Sequence, residues 1–554
     1  MKHMKRRNAS APTTLHRPRC FFLAIGIALC VALCAAISQA DHLRQLQADA
    51  MANGHAAWGH WGPKMDKYNG WVQHTNRLIP VYTFGMNLDA FQGANSAYRD
   101  PKRIKELYGR LPEETLNPKA EYFDQTDVYR LQRAAAAAGK KHIIVVIFDG
   151  TDWQTTQAAA IYRSGKIAYT QGRGTGLSFL DYGGTTTDFG FFVSSPHNQG
   201  TLHDVDTQKV TNPGGRIRGG YVARLGGAYP WTPGDDPLYI IASRDTSIQH
   251  AYTDSAASAT SMFSGIKTYN GAVNVDFKGH PVTPIARELQ QQGFAIGVVT
   301  SVPVSHATPG CTYANNVHRY DYQDVSRDLL GQPSVAHPKT PLPGVDVLLG
   351  GGWGEDVSRD RRQGDNFVPG NQYLTDADLE SSDVEHGGRY RVVQRSAQAE
   401  GRAALLATAS LAAQNGQRLL GYFGGNHGHL PFRTADGGFN PVNGIRRMNE
   451  NYTPADLREN PTLADMAEAA LTVLETNPLG FWLMIEAGDV DWANHDNNID
   501  ASIGAVISGE AAFDVVIDWV EKHNAWDDTL VIVTADHGHY LVLEDPSVLI
   551  EPGE

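Results

Sequence analysis

Cysteine is nearly missing from this 554-residue chain: of four, Cys20, Cys30 and Cys34 fall within the first 40 residues, leaving Cys311 alone in the remainder. One thiol cannot form an internal disulfide, so the fold must be held by its core. Hydrophobic residues, at 42%, can supply one. Positive charge is the second shortage, with 47 Lys and Arg against 60 Asp and Glu and a net charge of −13. Such acidity argues against nucleic acid as a partner. An anionic ligand would have to be drawn in by local arginines or metal ions. Internal repeats and long low-complexity linkers are also lacking, which reads as one large domain carrying insertions.

The first 40 residues read as a targeting segment. Lys2, Lys5, Arg6, Arg7, Arg17 and Arg19 precede an almost wholly apolar run, Cys20 to Ile37, which closes on Ser38-Gln39-Ala40. This pattern predicts a secretory signal cut before Asp41 and an exported, periplasmic or extracellular protein with no stable membrane span. An uncleaved anchor is the alternative reading of 18 apolar residues. Cleavage would remove six positive charges and take the net charge from −13 to −19. Residues 41–140 read as a polar, helical N-terminal extension. Ala134 to Ala138 suits a helix stopped by Gly139. His55, His60, Trp58, Trp61 and Trp71 read there as scattered core or surface residues, with no motif that carries chemistry.

From residue 141 the pattern changes. Ile143 to Phe148 is a continuous β-branched run ending in Asp149-Gly150. Phe294 to Thr300 leads to His306 and Thr308, Phe481 to Ile485 leads to Glu486, and Leu530 to Ala535 leads to Asp536-His537. Gly344 to Gly352 and Leu419 to Phe423 read as further strands. Helical patterns lie between, including Pro284 to Gln292 and Thr462 to Thr476, the latter opened by Thr462 with Asp465 three residues on. This alternation predicts an α/β fold: a mostly parallel central sheet with helices on both faces. Insertions are expected near 151–250 and 353–460. Ligands of such sheets bind beyond the carboxyl ends of the strands, where this chain sets acids and histidines.

Two stretches carry the chemistry. Tyr252-Thr-Asp254-Ser255-Ala-Ala-Ser-Ala-Thr260 has the small residues of a closely packed helix start, so Ser255 is either an N-cap or a nucleophile facing an anion. Glu486-Ala-Gly-Asp-Val-Asp491-Trp492-Ala-Asn-His495 leaves a strand and enters a helix, placing Asp491 and His495 on one helical face. With Asp536-His537-Gly538-His539, mixed acid and imidazole donors suit zinc; Asp149, Thr308 and Glu486, all oxygen, suit magnesium. Two ions ~4 Å apart are a known device for phosphoryl transfer.

On these motifs, and on Gly265-Ile-Lys-Thr-Tyr-Asn-Gly271, the chain resembles the alkaline phosphatase family over roughly 142–550. The resemblance implies hydrolysis of small-molecule phosphate monoesters through a phosphoserine on Ser255, and a homodimer. It implies that Arg319 grips the phosphoryl oxygens and that Asp254 orients it. It assigns Asp149, Asp536 and His537 to one zinc, Asp491 and His495 to a second, and Glu486, Thr308 and Asp149 to magnesium. His306, where some members have aspartate, is counted with the metal residues there; Trp492 stands where some have lysine or histidine, and His539 supports Asp491. The family's second zinc takes one more histidine from a later C-terminal segment, and no histidine follows His539 here. The expectation is therefore a chain short of that segment, with the second zinc weakened. Alternatives are a related phosphodiesterase or sulfatase, or a phosphate- and metal-binding protein with little turnover. The sulfatase Cys/Ser-x-Pro-x-Arg pattern is absent from 252–260. Ser264 and Lys267 form a Ser-x-x-Lys pair without its companion elements.

Overall fold

The computed structural model describes residues 42–62, 74–167, 169–214, 217–239, 252–445 and 451–551. The expected signal segment and Trp71 lie outside the described residues. Ten strands form the central sheet: β1 Ile79–Phe84, β2 Phe123–Asp124, β3 His142–Phe148, β4 Thr187–Val193, β5 Ala295–Pro303, β6 Val347–Gly351, β7 Tyr390–Gln394, β8 Arg418–Tyr422, β9 Phe481–Ala487 and β10 Thr529–Thr534. Their order is β7-β8-β6-β5-β9-β3-β10-β1-β4-β2. All neighbours are parallel except β1, which runs antiparallel to both β10 and β4.

The apolar runs are continuous because both faces of the sheet are covered. Ile143, Val145 and Ile147 of β3 join one core with Trp482, Met484, Leu530 and Ile532. Ile144, Val146 and Phe148 join the other with Leu483, Ile485, Val531 and Val533. Successive side chains point to opposite faces, so one uninterrupted run serves both cores. The first face carries helices α1 Thr126–Ala137, α3 Ser255–Ser264 and α4 Ile285–Gln291; the second carries α2 Trp153–Ser164, α5 Gly401–Asn415, α6 Leu463–Leu474 and, beyond α7 Asp489–His495, the long helix α8 Ile499–Lys522. Thr462 caps α6 in a reciprocal capping box with Asp465. No helix among the described residues is long and apolar enough to cross a membrane.

The structure departs from the sequence reading in the segments taken as appendages. The expected helical extension contains α1 but also β1, a strand buried throughout in the middle of the sheet. The expected insertions hold integral elements as well: α2 and β4 in the first, β7 and α5 in the second. Helix α5 escapes notice because its buried stripe, Leu405, Ala409 and Ala412, is made largely of alanine.

Candidate active site

The parallel strands end on one side of the sheet, and their carboxyl ends set the site. Asp149 follows β3, Glu486 lies in β9 paired with Thr300 of β5, and Asp536 and His537 follow β10. All four are completely buried. Asp149-Gly150 is more than a turn. Gly150 has φ +69°, and a Cβ there would stand 2.7 Å from the His539 ring and 3.0 Å from the Asp491 backbone. Only glycine lets His539 approach Asp491, to which its Nε2 sits 2.6 Å from Oδ1.

Asp254 caps α3 by accepting a hydrogen bond from Ala257 N, at 2.9 Å, which makes Ser255 the first helical residue and frees its hydroxyl from capping. Ser255 Oγ is 3.2 Å from His537 Nε2 and 3.5 Å from Asp149 Oδ1. His537 Nε2 in turn lies 3.4 Å from Asp149 Oδ1 and 3.5 Å from Asp536 Oδ2. These groups converge on one point. Asp149, Asp536 and His537 hold their donor atoms within 4.8 Å of one another, a spacing that fits a metal ion. Gly150 N and His537 N both donate to Asp536 Oδ1, whereas the buried Asp149 Oδ2 and Asp536 Oδ2 accept nothing from the protein. Buried carboxylate oxygens in that condition call for a cation.

A second donor set lies beside the first: His74, Asp491, His537 and His539. His495, at the end of α7, has its Nε2 3.4 Å from Asp491 Oδ1. His74 is the residue that sequence reasoning missed. Its Nε2 stands 3.1 Å from His495 Nε2 and 3.7 Å from Asp491 Oδ1, and its ring stacks on His537 with centroids 3.8 Å apart. Its Nδ1 is 3.1 Å from Thr253 O, an orientation in which Nδ1–H donates and Nε2 faces the cluster as a ligand atom. Thr75 N donates to Gly538 O, and Asn76 Oδ1 accepts from Thr253 N, so the segment is tied to both neighbouring loops. An imidazole from the N-terminal side of β1, outside the ligand set that the resemblance implies, thus lies within this second donor set.

Arg319 Nη1 is 3.2 Å from Asp254 Oδ2, and its Nη2 is 3.3 Å from His306 Nε2. His306 therefore faces the guanidinium, while Glu486 Oε2 accepts from Thr300. Trp492 has its ring edge-on to His306 and His429, at 6.0 and 4.9 Å between centroids. Burial, reinforced by Asp536, Asp491 and Glu486, pushes the Asp149 carboxyl far above its usual range. Burial raises Glu486 to about 7 and raises Asp491 and Asp536 as well. It lowers His537 to about 4 and, with the His537 charge, holds His74 well below its ordinary value. His306 is lowered by burial and by Arg319. The protein alone thus gathers four buried carboxylates that resist ionisation and neutral imidazoles with lone pairs to give, the electrostatic complement of divalent cations.

Residues 232–548 match the sequence profile of the family "Alkaline phosphatase". Among curated relatives, alkaline phosphatase 4 of Bacillus subtilis is 29% identical over 303 residues, covering 55% of this chain and 50% of that protein. Alkaline phosphatase of Escherichia coli K12 is 31% identical over 295 residues, covering 52% and 58%. The chain spans about half the length of the curated relatives it matches. A solved cold-active alkaline phosphatase from the psychrophile Shewanella sp. is 23% identical, with a TM-score of 0.41 over 72% of this chain and 68% of that one. The matched profile includes Ser255, Thr308, Arg319, Glu486, Asp491, His495, Asp536, His537 and His539; Asp149 and His74 lie ahead of it and join the site only through the sheet.

Proposed function

The chain belongs to the alkaline phosphatase family, and from that premise we propose that it hydrolyses phosphate monoesters through a phosphorylated Ser255. The observation that carries this reading is the convergence of Ser255 Oγ, His537 Nε2 and Asp149 Oδ1 at the start of α3, with Arg319 held by Asp254 alongside. In this reading Asp149, Asp536 and His537 would hold one zinc; Asp491, His495 and His74 would hold the second; Glu486, Thr308 and Asp149, with His306 beside them, would hold magnesium. Bound there, the ions would make the Ser255 hydroxyl a stronger nucleophile, offset the charge of the departing alcohol and activate water.

The protein's own groups do the positioning. Arg319 presents a planar fork to two phosphoryl oxygens, and Asp254 fixes that fork's direction by an ion pair. The N–H groups of the first turn of α3 and the positive end of its dipole favour the same anion. Ser255 Oγ forms a bond to phosphorus as the ester P–O bond breaks; water then displaces Ser255, yielding inorganic phosphate and restoring the hydroxyl. His539 keeps Asp491 oriented through the 2.6 Å contact. We propose further that the protein is exported after cleavage before Asp41 and forms a homodimer. Comparing turnover of an aryl phosphate, a bis-aryl phosphate and an aryl sulfate by zinc- and magnesium-loaded protein tests the function. The monoester should lead by orders of magnitude; a faster diester or sulfate would refute the reading.

A further inference from the structure

Any ester whose phosphoryl group lies against Ser255 and Arg319 must extend its alcohol outward through the cleft those residues line, a space of about 590 Å³. One wall of that cleft is a run of rings. Tyr320 and Tyr322 have centroids 5.9 Å apart, and Tyr322 and Tyr373 4.8 Å apart. The Arg362 guanidinium lies over Tyr320, 4.8 Å from its centroid. Asp360 holds it in a fork, with Nε and Nη2 each donating to a carboxylate oxygen at 2.9 Å, yet 52% of the Arg362 side chain stays exposed. Since Asp360 balances its charge, Arg362 offers the cleft a flat face more than a net positive charge. Tyr373 and Arg362 come from the 361–373 segment, which supplies none of the groups assigned to metal or phosphoryl binding. That half of the wall is separable from the chemistry, whereas Tyr320 also lies under the Arg319 guanidinium, 5.8 Å from its ring centroid.

We propose that this cleft is a leaving-group subsite for phosphate monoesters whose alcohol carries a flat aromatic ring. The inference rests on the phosphomonoesterase reading. Its test uses metal-loaded protein and non-hydrolysable competitors, so that ring recognition is measured apart from leaving-group reactivity. Phenylphosphonate should inhibit about ten-fold more tightly than ethylphosphonate, the order expected of one aromatic contact. Tyr373→Leu, and separately the more exposed Arg362→Gln, should shrink that ratio toward one while leaving inhibition by inorganic phosphate unchanged. Turnover of adenosine 5′-phosphate against ribose 5-phosphate asks whether the ring is reached through a sugar; a preference in either pair supports the subsite. Hydrolysis of all the esters with no preference in either pair would overturn the inference alone. So would variants that weaken phosphate and phenylphosphonate equally. Failure to hydrolyse any of the esters would overturn the underlying reading and the inference with it.

Discussion

Replacing His74 by alanine isolates the residue that the sheet brings in from outside the family's matched stretch. In the native site its Nε2 faces His495 and Asp491, while Nδ1 is anchored on Thr253 O. With it, the second cluster offers three protein ligands to zinc, the number a catalytic site requires; without it, two remain. Zinc bound by a four-ligand site is worth about 10–16 kcal/mol, so one ligand carries roughly 3 kcal/mol, a loss of about 100-fold in affinity or more. Zinc content measured by mass spectrometry after exhaustive dialysis should fall from two ions to one in His74→Ala. Activity should fall with it and recover partly as zinc is added. The exposed His55 gives the control: His55→Ala should retain both ions. Circular dichroism separates ligand loss from misfolding, since the sheet should persist. Two tightly held zinc ions in folded His74→Ala would refute the assignment and leave His539 to complete the cluster.

Ser255→Ala should abolish incorporation of ³²P from labelled phosphate or substrate and lower kcat by several orders of magnitude with little change in melting temperature; near-native turnover would remove Ser255 from the mechanism. Arg319→Lys should raise both KM and the inhibition constant of phosphate more than it lowers kcat, because the charge survives and the fork does not; unchanged phosphate inhibition would place Arg319 outside the site. Burial, followed by the charges of His203, Arg319 and Arg362, lowers His318 to about 3 from 6.5. The folded state therefore refuses a proton that the unfolded chain accepts, and this residue's contribution to stability declines as pH falls from 6.5 toward 3. Melting temperature against pH should accordingly fall less steeply in His318→Gln than in the native protein over that window; parallel curves would contradict the assignment.

Much of the fold was legible because the central strands are buried on both faces and read as unbroken runs. Ile143–Phe148 and Phe481–Ile485 fall within observed strands, and Leu530–Ala535 overruns its strand by Ala535 alone. The same logic predicts that Asp149, Glu486, Asp536 and His537 share one edge of the sheet, as they do, since parallel strands deliver their C-terminal residues to one side. It failed at His74 for a related physical reason. Strand β1 is antiparallel, with Val81 opposite Thr534 at the end of β10. Its beginning, not its end, therefore meets the site edge, and a histidine preceding an apolar run carries no such signal in a parallel-sheet pattern. Pro80 also broke the appearance of a central strand. The stretch Ile79-Pro-Val-Tyr-Thr-Phe84 held the usable signal, a β-rich run with His74 a few residues ahead. Strand β7 was missed because its burial is uneven, as expected at a sheet edge.

The contact between His74 and His495 spans 421 positions of the chain. Pairings that distant come late, after loop-closure entropy has been met by nearer contacts. A metal ion that depends on this pairing cannot template the early collapse, because its ligands have not yet converged. It acts instead on the reverse step: a bound ion must be released, or its ligands torn apart, before β1 can leave β10. Zinc should therefore leave the rate of refolding nearly untouched and slow unfolding severely. The cluster would then serve the protein as a kinetic lock, and its persistence would depend on how fast ambient chelators strip the ion.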